Sequence, residues 1–398
     1  MSPPRPLNVG LIGGGGGKAF IVNPHQASIF MGGTRRVVCG ALHEKSEVAL
    51  QSAADWPYPI RGYGTYDEMI AAEAKLPFGE RMDFVVIVTP NFVHKDPAIK
   101  CLKKGFPVFC EKPLALNSAE AEEIAKAVEE TKLPFGLAHT YLGHWSTQFG
   151  RFIVTSGLLG NIRRVDSHYW QGWLAGRTED QGVQQAEWRV DPKRAGASCC
   201  GGDIGTHAFM HARYVTGLEV VKILFAKLTT FVGGRQLDDD FLTVCQMSND
   251  ALAQICASQV MIGHRNDLRI EVNGDKGTLI LRQENSDEFT ICLPDQPQRI
   301  YSRGDVKPND GFLGDIPGFL LEAPIGPRIP SGHNEAFHDA FRRLYDAFEL
   351  DIRDWLEDKV PSRAGERYAS VYDGVKHMKF IEAAVKCSQM GLQFVVLE

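Results

Sequence analysis

The segment VGLIGGGGGKAF, Val9–Phe20, runs from an apolar stretch directly into five glycines. A dinucleotide-binding turn needs glycines at fixed offsets, G-x-G-x-x-G or a form ending in Ala, between a strand and a helix. Two registers fit. Gly13-x-Gly15 reaches Lys18 at the sixth position, where glycine is expected, while Gly14-x-Gly16 reaches Ala19. The sequence leaves both open. Asn23-Pro24 supplies a cap followed by a first-turn proline, so the helix is expected to start late and the loop to run from Gly13 to Val22. A merely flexible loop is the alternative. Its place after the first strand of an alternating series favours a nucleotide site.

Outward from the turn, strand-like and helical stretches alternate. LNVGLIG, RRVVCGAL, DFVVIVTP, FPVFCEKPLA and PFGLAHTYL read as strands. GYGTYDEMIAAEAKL, HKDPAIKCLKKG and NSAEAEEIAKAVEETK read as helices, the last capped by Asn117 or Ser118. This spacing predicts βαβ units on a parallel, doubly wound sheet over residues 1–143. Beyond Trp145 the strand-like stretches follow one another without helices between them, which predicts a mostly antiparallel sheet. One helix is expected near 203–216 and two more at 334–357 and 366–390. The Pro- and Gly-rich stretch 308–333 reads as a long loop of the functional kind. The fold class is therefore α/β followed by α+β. The second domain is expected over 144–398 for substrate binding and oligomerisation, with the option that the closing helices pack back on the first.

Composition narrows the function. Of the 398 residues, 44% are hydrophobic and 23% charged, the net charge is −6, and Lys and Arg are scattered. No basic footprint for nucleic acid or an anionic membrane is present. No apolar run is long enough to span a bilayer. The start MSPPRPLNVG has no signal core, so a cytoplasmic location is expected. The nine cysteines form no C-x-x-C pair and read as reduced thiols.

Four short segments carry candidate chemistry. GALHEK ends the second strand, where an acid would hold the adenosine ribose of NAD. Glu44 is the nearest acid, and His43 or Lys45 could meet the 2′-phosphate of NADP. TPNFVH offers Asn91 and His94 just past a buried strand, although an ordinary turn capped by Asn91 fits equally. CEKPLA places Glu111 and Lys112 at the same sheet edge, with Lys112-Pro113 a candidate cis bond. Burial would move this lysine toward acid–base work and pairing with Glu111 would keep it charged. GGDIGTHAFMH sets Asp203 four residues before His207, the spacing at which a carboxylate orients an imidazole base. His211 extends the stripe, but no metal is expected, because convergent ligands are missing.

In this order, a Gly-rich first turn, TPN..H, EKP and GG followed by D-x-G-x-H, the chain resembles the Gfo/Idh/MocA family, and within it a sugar- or inositol-acting branch. WRVDPKRAG and GHNEAF fit that branch. The resemblance implies a Rossmann domain, then an α/β domain with a large open sheet, and a substrate lying between that sheet and the nicotinamide. It implies Lys112, Asp203 and His207 as catalytic residues. Gly13, Gly15, Gly17, Lys18, His43, Glu44, Thr89, Pro90, Asn91, His94, Glu111, Lys112, Trp188 and Arg189 are the cofactor-binding set it suggests, for NAD, with NADP as the alternative. Lys112, Tyr141, Arg189, Asp203, His207 and His333 are the substrate-binding set. The expected partner is a small sugar or polyol, and the expected assembly a homodimer or homotetramer. The expected activity is oxidation of a secondary hydroxyl. A redox-cycling glycoside hydrolase and a nucleotide-sensing regulator are the alternatives.

Overall fold

The first strand, β1 (Leu7–Ile12), is buried at every residue, as a central strand covered on both faces must be. It belongs to a computed structural model that describes residues 5–16, 20–306, 312–314, 329–330, 332–361 and 364–391. The chain forms two units. Met1–Gly143 cluster with Phe337–Lys376, and His144–Ala336 with His377–Glu398. The sequence division gave 144–398 to the second domain, with the option that the closing helices pack back on the first; residues 337–376 cluster with the first unit.

In the first unit β1 pairs in parallel with β2 (Arg35–Ala41) and with β4 (Phe84–Ile87). The short β3 (Arg61–Gly62) flanks β2; β5 (Val108–Cys110) and β6 (Phe135–Leu137) follow β4. The order 3-2-1-4-5-6 is the Rossmann order, which opens its ligand crevice at the carboxyl ends beside β1 and β4. Helices α1 (Val22–Phe30), α2 (Ser46–Ala54), α3 (Tyr66–Glu73), α4 (Lys95–Lys103) and α5 (Ser118–Thr131) alternate with the strands. Asn117, not Ser118, caps α5, its side-chain oxygen accepting from the Glu120 N–H at 2.9 Å.

Helix α1 starts earlier than Asn23-Pro24 predicts. Its cap is Ile21 and its first residue Val22, which puts Pro24 third in the helix. Proline fits there because the first-turn N–H groups have no intrahelical partner.

The second unit is built on an eight-stranded sheet. β7 (Ile162–Trp170) pairs in parallel with β10 (Leu252–Ser258) and antiparallel with β11 (Asp267–Gly274). β8 (Val220–Thr229) and β9 (Asp240–Met247) extend one side, and β12 (Thr278–Arg282), β13 (Glu288–Cys292) and β14 (Arg299–Ser302) the other, all antiparallel. Strand β9 alternates half-buried and buried along its length, so one sheet face is covered and the other open. Helices α6 (Trp145–Thr155) and α7 (Thr206–Thr216) lie on the covered face. Ser167 donates to the Ala208 carbonyl at 2.8 Å, and Gly150 lets Leu281 approach where a Cβ would come within 2.8 Å.

Two helices close the chain, α8 (Phe337–Leu356) and α9 (Val371–Gln389), with β15 (Ala369–Ser370) between them, antiparallel to β6. α8 brings Tyr345 and Phe348 onto Phe109, with ring centroids at 4.7 and 5.2 Å. It also supplies Glu349 and Asp346 to the buried Arg35, at 2.6 and 2.8 Å. Among the described residues, no helix is long and apolar enough to cross a membrane.

Candidate active site

The glycine loop uses its residues for different reasons. Gly13 and Gly14 have φ of +87° and +92°, a region that L side chains disfavour. Gly15 is needed for close approach: a Cβ there would lie 2.6 Å from Ser52 Oγ. The Gly13 and Gly15 N–H groups donate to the Ala41 and Leu42 carbonyls at 2.9 and 2.6 Å, tying the loop to the end of β2. Gly17, Lys18 and Ala19 lie outside the described residues. A cleft of about 490 Å³ opens beside the loop, lined by Gly14, Gly15, Gly16, Leu42, Ser52 and Trp56, among others.

At the end of β2, His43 stands over Gly16, with its Cδ2 3.4 Å from where a Cβ would sit. Its Nδ1 accepts the Lys45 N–H at 2.9 Å, which leaves Nε2 to carry the proton of the neutral ring. Glu44 is exposed. Past β4, Thr89 lies against Gly13, where an added Cβ would come 2.9 Å from its Cγ2, and its buried hydroxyl oxygen has no hydrogen-bond partner among the described residues. Pro90 is exposed and Asn91 buried. A loop that tolerates no Cβ, beside an orphaned hydroxyl, fits a pyrophosphate-bearing dinucleotide.

His94 is wholly buried. Its Nε2 lies 2.8 Å from the Thr89 carbonyl and its Nδ1 2.9 Å from the Pro113 carbonyl. It thus ties the end of β4 to the turn after β5. Burial pushes its pKa below the ordinary histidine value, against the pull of the two carbonyls. A neutral ring donates to only one of them.

Glu111 is 6% exposed. One carboxylate oxygen lies 2.8 Å from His25 Nε2; the other accepts the Lys112 backbone N–H at 3.1 Å. His25 Nδ1 in turn lies 2.6 Å from the Tyr345 hydroxyl. Lys112 is half-buried and its bond to Pro113 is cis. Tyr141 is buried, its ring 6.0 Å from Phe337.

In the second unit Asp203 sits in a π-helical turn, Gly201–Gly205, which leads into α7. Its Oδ2 accepts from Arg189 Nε at 2.8 Å and from Gln259 Nε2 at 3.0 Å. Arg189 also donates to the Gln185 carbonyl and side chain, both at 2.7 Å, and lies over the Trp188 ring at 4.3 Å. The resemblance gives Trp188 and Arg189 to the cofactor or substrate; here Arg189 is engaged with the Asp203 turn. Asp238 anchors that turn from beneath, accepting from Cys199 N, Gly201 N and Ser198 Oγ at 3.0, 3.1 and 2.9 Å. Burial pushes the Asp238 carboxyl up to about 6.

His207, on the first turn of α7, is 7% exposed and meets the Tyr169 ring edge-on at 5.8 Å. His211 is a core histidine. Its Nε2 lies 3.1 Å from Thr147 Oγ1, and burial lowers its pKa to about 3. His333 is exposed on a strap whose backbone is pinned, its carbonyl accepting from the buried Arg303. Sequence reasoning missed His25, Tyr345, Asp238 and Gln259. None lies in a motif.

Two family models match in tandem. Residues 7–139 match the oxidoreductase family, NAD-binding Rossmann fold, and residues 150–280 the GFO/IDH/MocA C-terminal domain. The chain belongs to the GFO/IDH/MocA family. It is an NAD-binding oxidoreductase of that family. The chain is similar to a crystal structure of an inositol dehydrogenase homologue from Azotobacter vinelandii complexed with NAD+. That structure has a TM-score of 0.88 at 26% identity, over 97% of this chain and 96% of that one. The levoglucosan dehydrogenase of Pseudarthrobacter phenanthrenivorans is 25% identical, over 74% of this chain and 78% of the relative. A 2,7-anhydro-N-acetylneuraminate hydratase of Escherichia coli is 36% identical over 156 residues, 38% of this chain and 37% of the relative.

Proposed function

We propose that this GFO/IDH/MocA member is a dehydrogenase that oxidises a secondary hydroxyl of a sugar, an anhydro-sugar or an inositol. The observation that carries the reading is the Asp203 turn, a carboxylate ion-paired with Arg189 and bonded to Gln259, four residues before a nearly buried imidazole. Gly13–Gly16, Thr89 and His43 would hold the dinucleotide, which, when bound, supplies a two-electron acceptor for hydride. The hydroxyl proton passes to a ring nitrogen of His207. Lys112 hydrogen-bonds the same oxygen and offsets its developing negative charge. Asp203 orients the imidazole and binds a neighbouring hydroxyl. Tyr141 and His333 are candidates for further hydroxyl contacts, since a polyol needs several convergent polar groups.

A panel of sugars, anhydro-sugars and inositols, run with NAD and with NADP, tests the reading through reduced-cofactor absorbance. The expected outcome is one class of polyol turned over with NAD preferred, and a fall of about 10² or more in His207→Ala. Turnover by His207→Ala within a few-fold of wild type would remove His207 from its role.

The likeness to a hydratase favours one second reading. The same residues would serve a cycle in which a sugar carbon is oxidised transiently, a leaving group is eliminated, water is added and the carbon is reduced again. Substrate would then disappear without net accumulation of reduced cofactor. We further assign the enzyme to the cytoplasm and to a homodimer or homotetramer, an assembly that light scattering on the purified protein tests directly.

A further inference from the structure

Glu111 Oε1 is held by His25, which no motif contains, with Tyr345 behind it. His25 comes from α1, the helix that follows the glycine loop, and Tyr345 from α8, near the other end of the chain. His25 and Tyr345 are fully buried, and His25 packs on Phe341 at 4.5 Å between ring centroids. We propose that Tyr345 and His25 form a buried hydrogen-bond relay that positions Lys112 through Glu111. The inference rests on the reading of Lys112 as the lysine that meets the substrate oxygen.

Donors and acceptors balance along the chain in one way with a neutral ring. The Tyr345 hydroxyl donates to His25 Nδ1, which leaves the proton on Nε2. Nε2–H donates to Glu111 Oε1, and Oε2 accepts the Lys112 backbone N–H. Burial pushes the Tyr345 phenol well above its ordinary value, which keeps it a donor. Other ionisable groups act on this chain. Cys110 on β5 and His94 at the start of α4 both feel Glu111, and Arg35 on β2 lies 5.7 Å from the Tyr345 ring.

The relay matters because a buried carboxylate that loses a donor takes another. The cation next to Glu111 in the chain is Lys112. Without the His25 N–H, Glu111 would draw the Lys112 ammonium to itself and away from the substrate oxygen. His25 is therefore a positioning residue, one step removed from the chemistry, and Tyr345 sets its tautomer.

Four variants of the full chain test this, with kcat, NAD affinity by calorimetry and melting temperature measured for each. His25→Leu should lower kcat about tenfold and leave NAD affinity within about twofold. His25→Gln, whose amide places an N–H near the Nε2 position, should restore most of the loss. Tyr345→Phe should show the same pattern, more weakly, and carries the test if His25→Leu does not fold. A His25→Leu enzyme with wild-type kcat overturns the relay. So does a His25→Gln enzyme as slow as His25→Leu with an equal loss of melting temperature, which marks a structural role only. Lys112→Ala separates the two claims. If it keeps wild-type kcat, the reading of Lys112 fails; if it is inactive while His25→Leu is normal, the relay alone fails. Independently of activity, nitrogen NMR of the histidine-labelled protein without cofactor should report a neutral His25 protonated at Nε2. An Nδ1–H tautomer or an imidazolium there overturns the proton order.

Discussion

At the scale of single residues, Asp203 illustrates how much a motif leaves unsaid. The spacing of Asp203 and His207 is legible in the sequence, and so is Lys112 at the end of a strand. The partners that fix Asp203 are not, because Gln259 reaches it across 56 residues and Arg189 across 14. Hydrogen bonds to a charged group contribute about 1.5–3 kcal/mol. Gln259→Leu should therefore lower kcat/KM for the polyol by roughly one to two orders of magnitude while NAD affinity holds, as calorimetry beside steady-state kinetics would record.

Asp238, beneath the same turn, makes a prediction about pH. Its carboxyl is raised from 3.8 to about 6 by burial, so the folded state binds its proton more tightly than the unfolded chain does. Its contribution is fully present below about pH 4 and is lost as pH rises through about 6, on the order of 2–3 kcal/mol. Asp96, Glu179 and Asp180 are held below their ordinary values and slope the opposite way, so the measurement is a difference. Subtracting the denaturant-melt profile of Asp238→Asn from that of wild type should show this fall between pH 4 and 6. A flat difference would deny the shift.

At the scale of elements, the strand–helix alternation of the first unit and the strand succession of the second could both be read from hydrophobic period. The fine structure of the glycine loop could not. Five identical residues carry no register, and only backbone angles and neighbours separate Gly13 and Gly14, which turn, from Gly15, which yields space. The start of α1 shifted for a related reason: proline suits any position of a first turn, so Asn23-Pro24 marked the helix without marking its first residue. Gly13→Ala tests the loop. It would strain a residue at φ +87° and press on Thr89 Cγ2, so NAD affinity should fall at least tenfold in a titration. The second unit should keep its own stability.

At the scale of the molecule, the long helix α8 was expected near its observed place, but its partner was left as an option. Its apolar face gave no sign of which sheet it would cover. The structure places Phe348 against Phe84 and Phe109, all within the first unit. Phe348→Ala should cost about 3–5 kcal/mol in denaturant unfolding, as deletion of a buried aromatic ring does. A chain cut after residue 336 should leave Arg35 without Glu349 and Asp346, and its first unit should lose cooperative unfolding.

Because β15 and α8 complete a unit begun at β1, the stretch from His144 to Ala336 is, in topological terms, an insertion within the first unit. A ribosome delivers that insertion before the segments that close the Rossmann core. Until then the β6 edge is unpaired and Phe109 uncovered on the nascent chain, the kind of surface that invites aggregation or chaperone binding. The second unit's eight-stranded sheet is synthesised in one piece, but Phe380, which packs on its Phe209 and Phe241, comes later still. Biogenesis thus interleaves the two units: the first waits for Phe337–Lys376 and the second for His377–Glu398.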